Sequence, residues 1–123
     1  MAQTNEIVHV TEHKGVKLVR LRSGAIREER EADTLGRELL ALAEEPGQRI
    51  VLSFLGVEYL TSLVLGKLIQ VHKQLAESGG EIRLADIHPQ IREVFRITNL
   101  ESLFKIHEHE REALARFLSD AER

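Results

Sequence analysis

Two adjacent hydroxyls, Thr61 and Ser62, stand at the most informative junction of this sequence. Before them runs Arg49-Ile50-Val51-Leu52-Ser53-Phe54-Leu55, a nearly continuous apolar segment of the kind that forms a strand covered on both faces. After them Val64, Leu68, Val71 and Leu75 recur at helical spacing. The pattern predicts a buried strand, a short turn through Gly56-Val57-Glu58-Tyr59-Leu60, and a helix that opens at Thr61–Leu63 and runs to about Glu77. Hydroxyls at such a place lie beside unpaired backbone N–H groups and the positive end of the helix dipole. Two chemistries suit them. The site can carry or hold a phosphate, or Thr61 and Ser62 can simply cap the helix, as Ser and Thr ordinarily do. Lys67, one turn on, either belongs to the same face or is only solvated.

His107-Glu108-His109-Glu110 has the residue types of a metal cluster. His107 and His109 would share a face on a strand and diverge on a helix. The pattern places them at a strand-to-helix junction, where neither geometry is kept, and no third and fourth ligand are identifiable. No metal is therefore expected, and His9, His13, His72 and His88 read as surface or edge residues. The sequence has no G-x-x-x-x-G-K-[ST] phosphate loop, no G-x-G-x-x-G and no G-x-S-x-G elbow. An enzyme is not expected, nor a cofactor.

The elements that position the two hydroxyls can be read in order. Ile7-Val8-His9-Val10 and Val16-Lys17-Leu18-Val19-Arg20-Leu21-Arg22 are strand candidates, linked by the polar turn Glu12-His13-Lys14-Gly15 into an antiparallel pair. The alternation in the second strand is imperfect and leaves its core face open. Ser23-Gly24-Ala25 breaks it. The charged run from Arg27 to Glu31 is a solvated connection or a first helical turn, and Asp33 or Thr34 can cap the helix striped by Leu35, Leu39 and Leu42, which Pro46-Gly47 ends. Past the central helix, Ser78-Gly79-Gly80 is a stop and Glu81-Ile82-Arg83-Leu84-Ala85 a strand. Pro89 opens a helix with Ile91, Val94, Phe95 and Thr98 along one face, and Asn99 closes it. Leu103-Phe104-Lys105-Ile106 is a last strand. Glu108 to Leu118 is a terminal helix with Ala113, Leu114, Phe117 and Leu118 inward, and Asp120 to Arg123 should fray. About five strands alternating with four helices after an opening hairpin imply an α/β fold, a mixed sheet with helices packed on it.

A chain of 123 residues is one domain of ordinary size, expected to span 1–123. It has no cysteine, so neither disulfides nor thiolate metal sites are available. A net charge of −3 with interspersed signs, and aromatics at only 4%, argue against direct nucleic-acid binding. No apolar run reaches membrane-span length, and no signal peptide is visible at Met1-Ala2-Gln3-Thr4-Asn5-Glu6. The expectation is a soluble, cytoplasmic protein without membrane contact.

The run V-L-S-F-L-G-V-E-Y-L-T-S-L-V-L-G-K-L resembles the central signature of STAS domains, the fold of bacterial anti-sigma factor antagonists. That signature is a hydrophobic strand, an apolar-flanked turn, and Asp-Ser-Ser-Gly-Leu-Gly opening a helix. With the register set by Gly56, Tyr59 and Leu65-Gly66, Thr61 stands where the family has Asp and Ser62 matches its first serine. Leu63 falls at the phosphorylated serine, and Val64 replaces a glycine. Gly79-Gly80-Glu81-Ile82-Arg83-Leu84, and Pro89 to Leu100 followed by Leu103 to Ile106, are similar to the later parts of the fold, so the resemblance spans nearly the whole chain.

The resemblance implies a STAS-type sheet and a protein-interaction role. It implies competitive binding to an anti-sigma factor that is also a serine kinase of the GHKL type. The implied docking residues are Glu58, Tyr59, Thr61, Ser62, Leu63, Val64 and Lys67, with Ser62 and Thr61 the phosphorylation candidates. The alternative is a non-switching STAS scaffold, or a subunit that pairs with other STAS proteins or with itself as a homodimer, in a larger regulatory assembly.

Overall fold

The computed structural model describes residues 2–22 and 25–121. Of the expected break at Ser23-Gly24-Ala25, Ser23 and Gly24 lie outside the described residues and Ala25 is in a short strand. Of the fraying expected from Asp120 to Arg123, Asp120 and Ala121 are instead helical, and Glu122 and Arg123 lie outside the described residues. A short strand β1 (Ala2–Thr4), which no sequence pattern signals, pairs antiparallel with β2 (Val8–His13). β2 pairs antiparallel with β3 (Val16–Leu21), Val10 opposite Val19, as the hairpin reading expects. Lys14 and Gly15 link them with φ of 53° and 85°. Two positive φ values in a two-residue link give the twist that matches the strands, and glycine adopts one without steric cost.

The rest of the chain is β4 (Ala25–Ile26), α1 (Glu29–Leu42), β5 (Arg49–Ser53), β6 (Tyr59–Leu60), α2 (Ser62–Glu77) and β7 (Glu81–Ala85). Then follow α3 (Pro89–Ile97), a 3-10 turn (Leu100–Ser102), β8 (Lys105–His107) and α4 (Glu110–Ala121). The main sheet has six strands in the order β1-β2-β3-β5-β7-β8. β3, β5, β7 and β8 run parallel. The mixed α/β architecture with four helices is as read from the sequence, and β1 is the added strand. β4 and β6 form a separate parallel ribbon, Ala25 opposite Tyr59 and Ile26 opposite Leu60. No helix among the described residues is long and apolar enough to cross a membrane.

Strand alternation divides the core. Val19, Leu21, Ile50, Leu52, Ile82 and Leu84 join Leu35, Leu39, Leu68, Val71, Leu75 and Phe95 of α1–α3 in one large cluster. Val16, Leu18, Val51 and Ala85 face the other way and meet Ala113 and Phe117 of α4, flanked by the partly covered Leu114 and Leu118. The undecided core face of β3 is thereby settled, since both of its faces are covered.

Several boundaries differ from the sequence reading. Neither Asp33 nor Thr34 caps α1. The helix starts at Glu29, and the Glu31 carboxylate accepts from the backbone N–H groups of Arg27 (3.2 Å) and Glu28 (3.2 Å). That is the reaching-back half of a capping box, so the charged run is the helix's first turn, and Thr34 is buried within it. The last strand begins two residues late, at Lys105, because Leu100–Ser102 is a 3-10 turn. Two ends agree closely. α2 stops where Gly80 N–H reaches the Leu75 carbonyl (2.8 Å) and Gly79 N–H the Ala76 carbonyl (3.3 Å). Gly79, at φ 80°, occupies the left-handed position this ending requires. α3 has Pro89 in its first turn, the His88 ring accepting from Gln90 N–H (3.2 Å), and left-handed Asn99 beyond its end.

α4 is tied down by charge as well as by packing. The Arg20 guanidinium donates twice to the Glu110 carboxylate, at 2.8 and 2.6 Å, and Asp86 accepts from the Glu110 N–H at 2.8 Å. At the sheet's other side the Glu38 carboxylate of α1 accepts from the N–H groups of Glu6, Ile7 and Val8 (2.9, 3.0 and 3.0 Å), which secures the link between β1 and β2.

Candidate functional site

β5 delivers the chain to the carboxyl edge of the sheet, where Val57 N–H closes a turn onto the Phe54 carbonyl at 2.8 Å. The ribbon β4–β6 then holds Tyr59 and Leu60 in place ahead of α2. Thr61 takes the N-cap position with extended backbone (φ −92°, ψ 164°), and its carbonyl accepts from Val64 N–H at 3.1 Å. Its hydroxyl makes no capping hydrogen bond. Thr61 Oγ1 is enclosed and without a partner among the described residues. The expectation that Thr61 and Ser62 cap α2 through their side chains is corrected accordingly: Thr61 holds the position by backbone alone, and Ser62 is the first helical residue, exposed to solvent.

The other expected docking residues separate into two groups. Glu58, Tyr59 and Leu63 are exposed, Tyr59 by 49% and Leu63 by 46%. The Arg27 guanidinium lies 5.6 Å from the Tyr59 ring centre, within cation–π range. Val64 has no exposed surface and belongs to the core, so of the expected docking residues Leu63 and Val64 only Leu63 reaches solvent. Lys67 is not a free surface cation. Its ammonium pairs with Asp33 of α1 at 3.1 Å and its side chain is largely covered there.

The structure adds residues from α3 to this neighbourhood. Only Ile91 and Phe95 of that helix are buried; Val94 is 42% exposed and Ile97 68%. Val94 and Thr98, read from sequence as sharing one face with Ile91 and Phe95, are exposed where those two are buried. Between α3 and the turn lies a groove of about 320 Å³ walled by Tyr59, Leu60, Leu65, Ile91 and Val94, with Thr61, Ser62 and Thr98 at its margins. The sequence signal for this second stripe exists, since Val94 and Thr98 are four residues apart just as Ile91 and Phe95 are. Periodicity alone does not say which of two adjacent stripes is covered.

His107 and His109 are not brought together on one ligand. His107 Nδ1 faces Glu112 at 3.4 Å and His109 Nδ1 faces Asp86 at 3.5 Å. Among the described residues no group of three or more His, Asp or Glu side chains is placed to hold a metal ion. His72, read as a surface residue, packs edge-on against Phe104 with ring centres 5.5 Å apart.

An opening antiparallel hairpin, a parallel run of strands beside it, and a helix launched from the end of the central strand define a STAS domain. The chain belongs to the STAS domain family, matching it over residues 8–113. Its relatives include BtrV of Bordetella bronchiseptica, named as a candidate anti-sigma factor antagonist, 34% identical over 86 residues that cover 70% of this chain and 74% of that one. An anti-sigma F factor antagonist of Paenibacillus polymyxa is 26% identical over 108 residues, 87% of this chain and 91% of its own. In fold, the solved anti-sigma-factor antagonist (STAS) domain protein from Planctomyces limnophilus matches with a TM-score of 0.80 at 21% identity, covering 89% of this chain and 96% of that one.

Proposed function

We propose that this chain is a single STAS domain, residues 1–123, acting in the cytoplasm as an anti-sigma factor antagonist without enzymatic activity or cofactor. Its partner would be a kinase-type anti-sigma factor of the GHKL class, and binding would free the sigma factor that this partner holds. One observation carries the reading. The exposed apolar side chains Tyr59 of β6 and Leu63 of α2 lie in the stretch that the sequence resemblance assigns to docking, and Val94 of α3 walls the same groove as Tyr59. Large apolar side chains left in water beside a groove favour a protein partner.

Exposure also narrows the phosphorylation candidates. The Thr61 hydroxyl is enclosed, whereas Ser62 is open to solvent. A phosphate on Ser62 would add roughly −1.5 to −2 charges at the positive end of α2, where the fold tolerates it, and beside apolar docking residues, where a partner would not. Leu63, lacking a hydroxyl at the family's acceptor position, favours a second reading: a non-switching scaffold, or a subunit that associates with other STAS chains or with itself.

The test is incubation with a candidate kinase-type anti-sigma factor and ATP, followed by intact-mass analysis, peptide mapping and binding measurements. A phosphate on Ser62, with weaker binding by the phosphorylated form, supports the switching antagonist. Binding with no phosphate supports a constitutive antagonist. Stable self-association with no binding to the kinase supports the second reading. Ser62→Asp should keep the fold and weaken docking; undiminished affinity would place the interface elsewhere.

A further inference from the structure

The amino-terminal edge of the parallel sheet lies at the opposite end from the docking turn and collects a different set of side chains. β5, β7 and β8 begin with Arg49, Glu81 and Lys105. Arg49 stands opposite Glu81, and Arg83 opposite Lys105. Val51 and Ala85, two residues further along their strands, are buried under α4. Alternation therefore puts Arg49, Glu81, Arg83 and Lys105 on the α4 side of the sheet. With Gly79, and with Phe117 and Asp120 from the last turns of α4, they line a cavity of about 280 Å³.

Among the described residues the charges there do not cancel. Arg83 is 2% exposed and serves both acids. It reaches Glu81 from Nε at 3.2 Å and from Nη2 at 3.4 Å, and Asp120 from Nη2 at 2.9 Å, while its guanidinium carbon lies 4.2 Å from the Phe117 ring centre. Two further cations remain. Lys105 approaches Glu81 only to 3.9 Å. The Arg49 guanidinium, partly buried and lying beside Gly15, makes no side-chain hydrogen bond or ion pair among the described residues. Among the described residues, three cations thus meet two carboxylates. The Arg83 Nη1 donor is also enclosed with no acceptor among the described residues. A buried guanidinium donor without an acceptor is unfavourable, and so is an unpaired guanidinium held beside two other cations.

We propose that this cavity binds a small oxyanion, the carboxylate or phosphate group of a metabolite, held chiefly by Arg49 and Lys105, with Arg83 fixed behind them as a positioning residue. Arginine's planar fork suits either group, and lysine adds a point charge. An oxyanion between Arg49 and Lys105 offsets the excess positive charge found among the described residues. It also bridges the sheet to the end of α4, so its binding is read out as stabilisation of the folded chain. The site is remote from the docking turn and does not depend on the role proposed for that turn.

The experiment is thermal unfolding at fixed ionic strength and pH, with sodium chloride replaced stepwise by inorganic phosphate in one series and by acetate in another. A saturable rise of several degrees in Tm is expected in at least one series, and the series in which it occurs assigns the group. Arg49→Gln and Lys105→Gln should each remove most of the rise while leaving Tm in chloride nearly unchanged. Arg111→Gln, on the exposed side of α4, should leave the rise intact. No rise over chloride with either anion, or a rise that survives undiminished in Arg49→Gln, overturns the proposal.

Discussion

The helical layer of α1–α3 meets the sheet through Leu35, Leu39, Leu68, Val71, Leu75 and Phe95, all without exposed surface. α4 meets the opposite face through Ala113 and Phe117, with Leu114 and Leu118 only partly covered. What α4 lacks in apolar area it gains in charge: the Arg20–Glu110 pair at its start and Arg83 with Asp120 near its end. Hydrophobic burial is non-directional and insensitive to pH, whereas ion pairs depend on both geometry and protonation. The first layer is thus the stable platform that launches α2 and α3, and its outer side leaves Tyr59, Leu63, Val94 and Ile97 exposed. The second layer is the more easily loosened one.

The contrast can be broken by mutation. Leu68→Ala should cost about 2–5 kcal/mol, the range for a fully buried leucine whose site collapses incompletely. Leu114→Ala, removing a partly covered side chain from α4, should cost roughly 1 kcal/mol. Chemical denaturation of both variants checks the pair, and equal losses would mean that the two faces contribute alike.

Glu110→Gln sharpens the comparison through pH. The hydrogen bonds from Arg20 are the largest cause holding the Glu110 carboxyl below the ordinary carboxylate range, with burial opposing them. A carboxylate whose pKa is lower in the folded than in the unfolded chain stabilises the fold above the unfolded value and loses that contribution as pH falls through the folded one. Glu110→Gln should therefore cost about 1 kcal/mol or less at neutral pH, as an ion pair with one exposed partner does. The gap to the parent should close on acidification below the usual glutamate range. Denaturation midpoints measured across that range test it, and a gap that stays constant would show that the Arg20–Glu110 pair is not what distinguishes α4.

The smallest effect is expected at Thr61. A capping hydroxyl is worth about 1 kcal/mol, but this one makes no capping bond and is enclosed without an acceptor. Thr61→Val should leave the unfolding midpoint unchanged or raise it slightly. A clear loss would show that the hydroxyl caps α2 in solution.

Much of this was legible before any coordinates. β7 is readable to the residue because Gly79-Gly80 precede it, and α3 because Pro89 and Asn99 mark its ends. β1 is not, since Ala2-Gln3-Thr4 carries no pattern and owes its form to pairing with β2. The start of α1 is displaced because Asp33 and Thr34 are better capping residues by type than Glu28, and only the reach of Glu31 back along the chain decides the matter. At the proposed docking turn, Glu58 to Leu63 are identifiable from local pattern and resemblance. The remainder depended on partners distant in sequence: Asp33 occupies Lys67, and the packing of Ile91 and Phe95 turns Val94 outward.

The most direct test of the docking face compares two insertions of the same charge. Leu63→Glu alters the exposed start of α2, and Ala115→Glu alters the exposed side of α4. Both should fold, and affinity for the proposed anti-sigma factor partner is then measured by titration calorimetry. The account predicts a loss of at least about 2 kcal/mol, roughly 30-fold, for Leu63→Glu, the scale of a central interface residue, and parent-like binding for Ala115→Glu. Parent-like binding by Leu63→Glu, with or without a loss in Ala115→Glu, would contradict it.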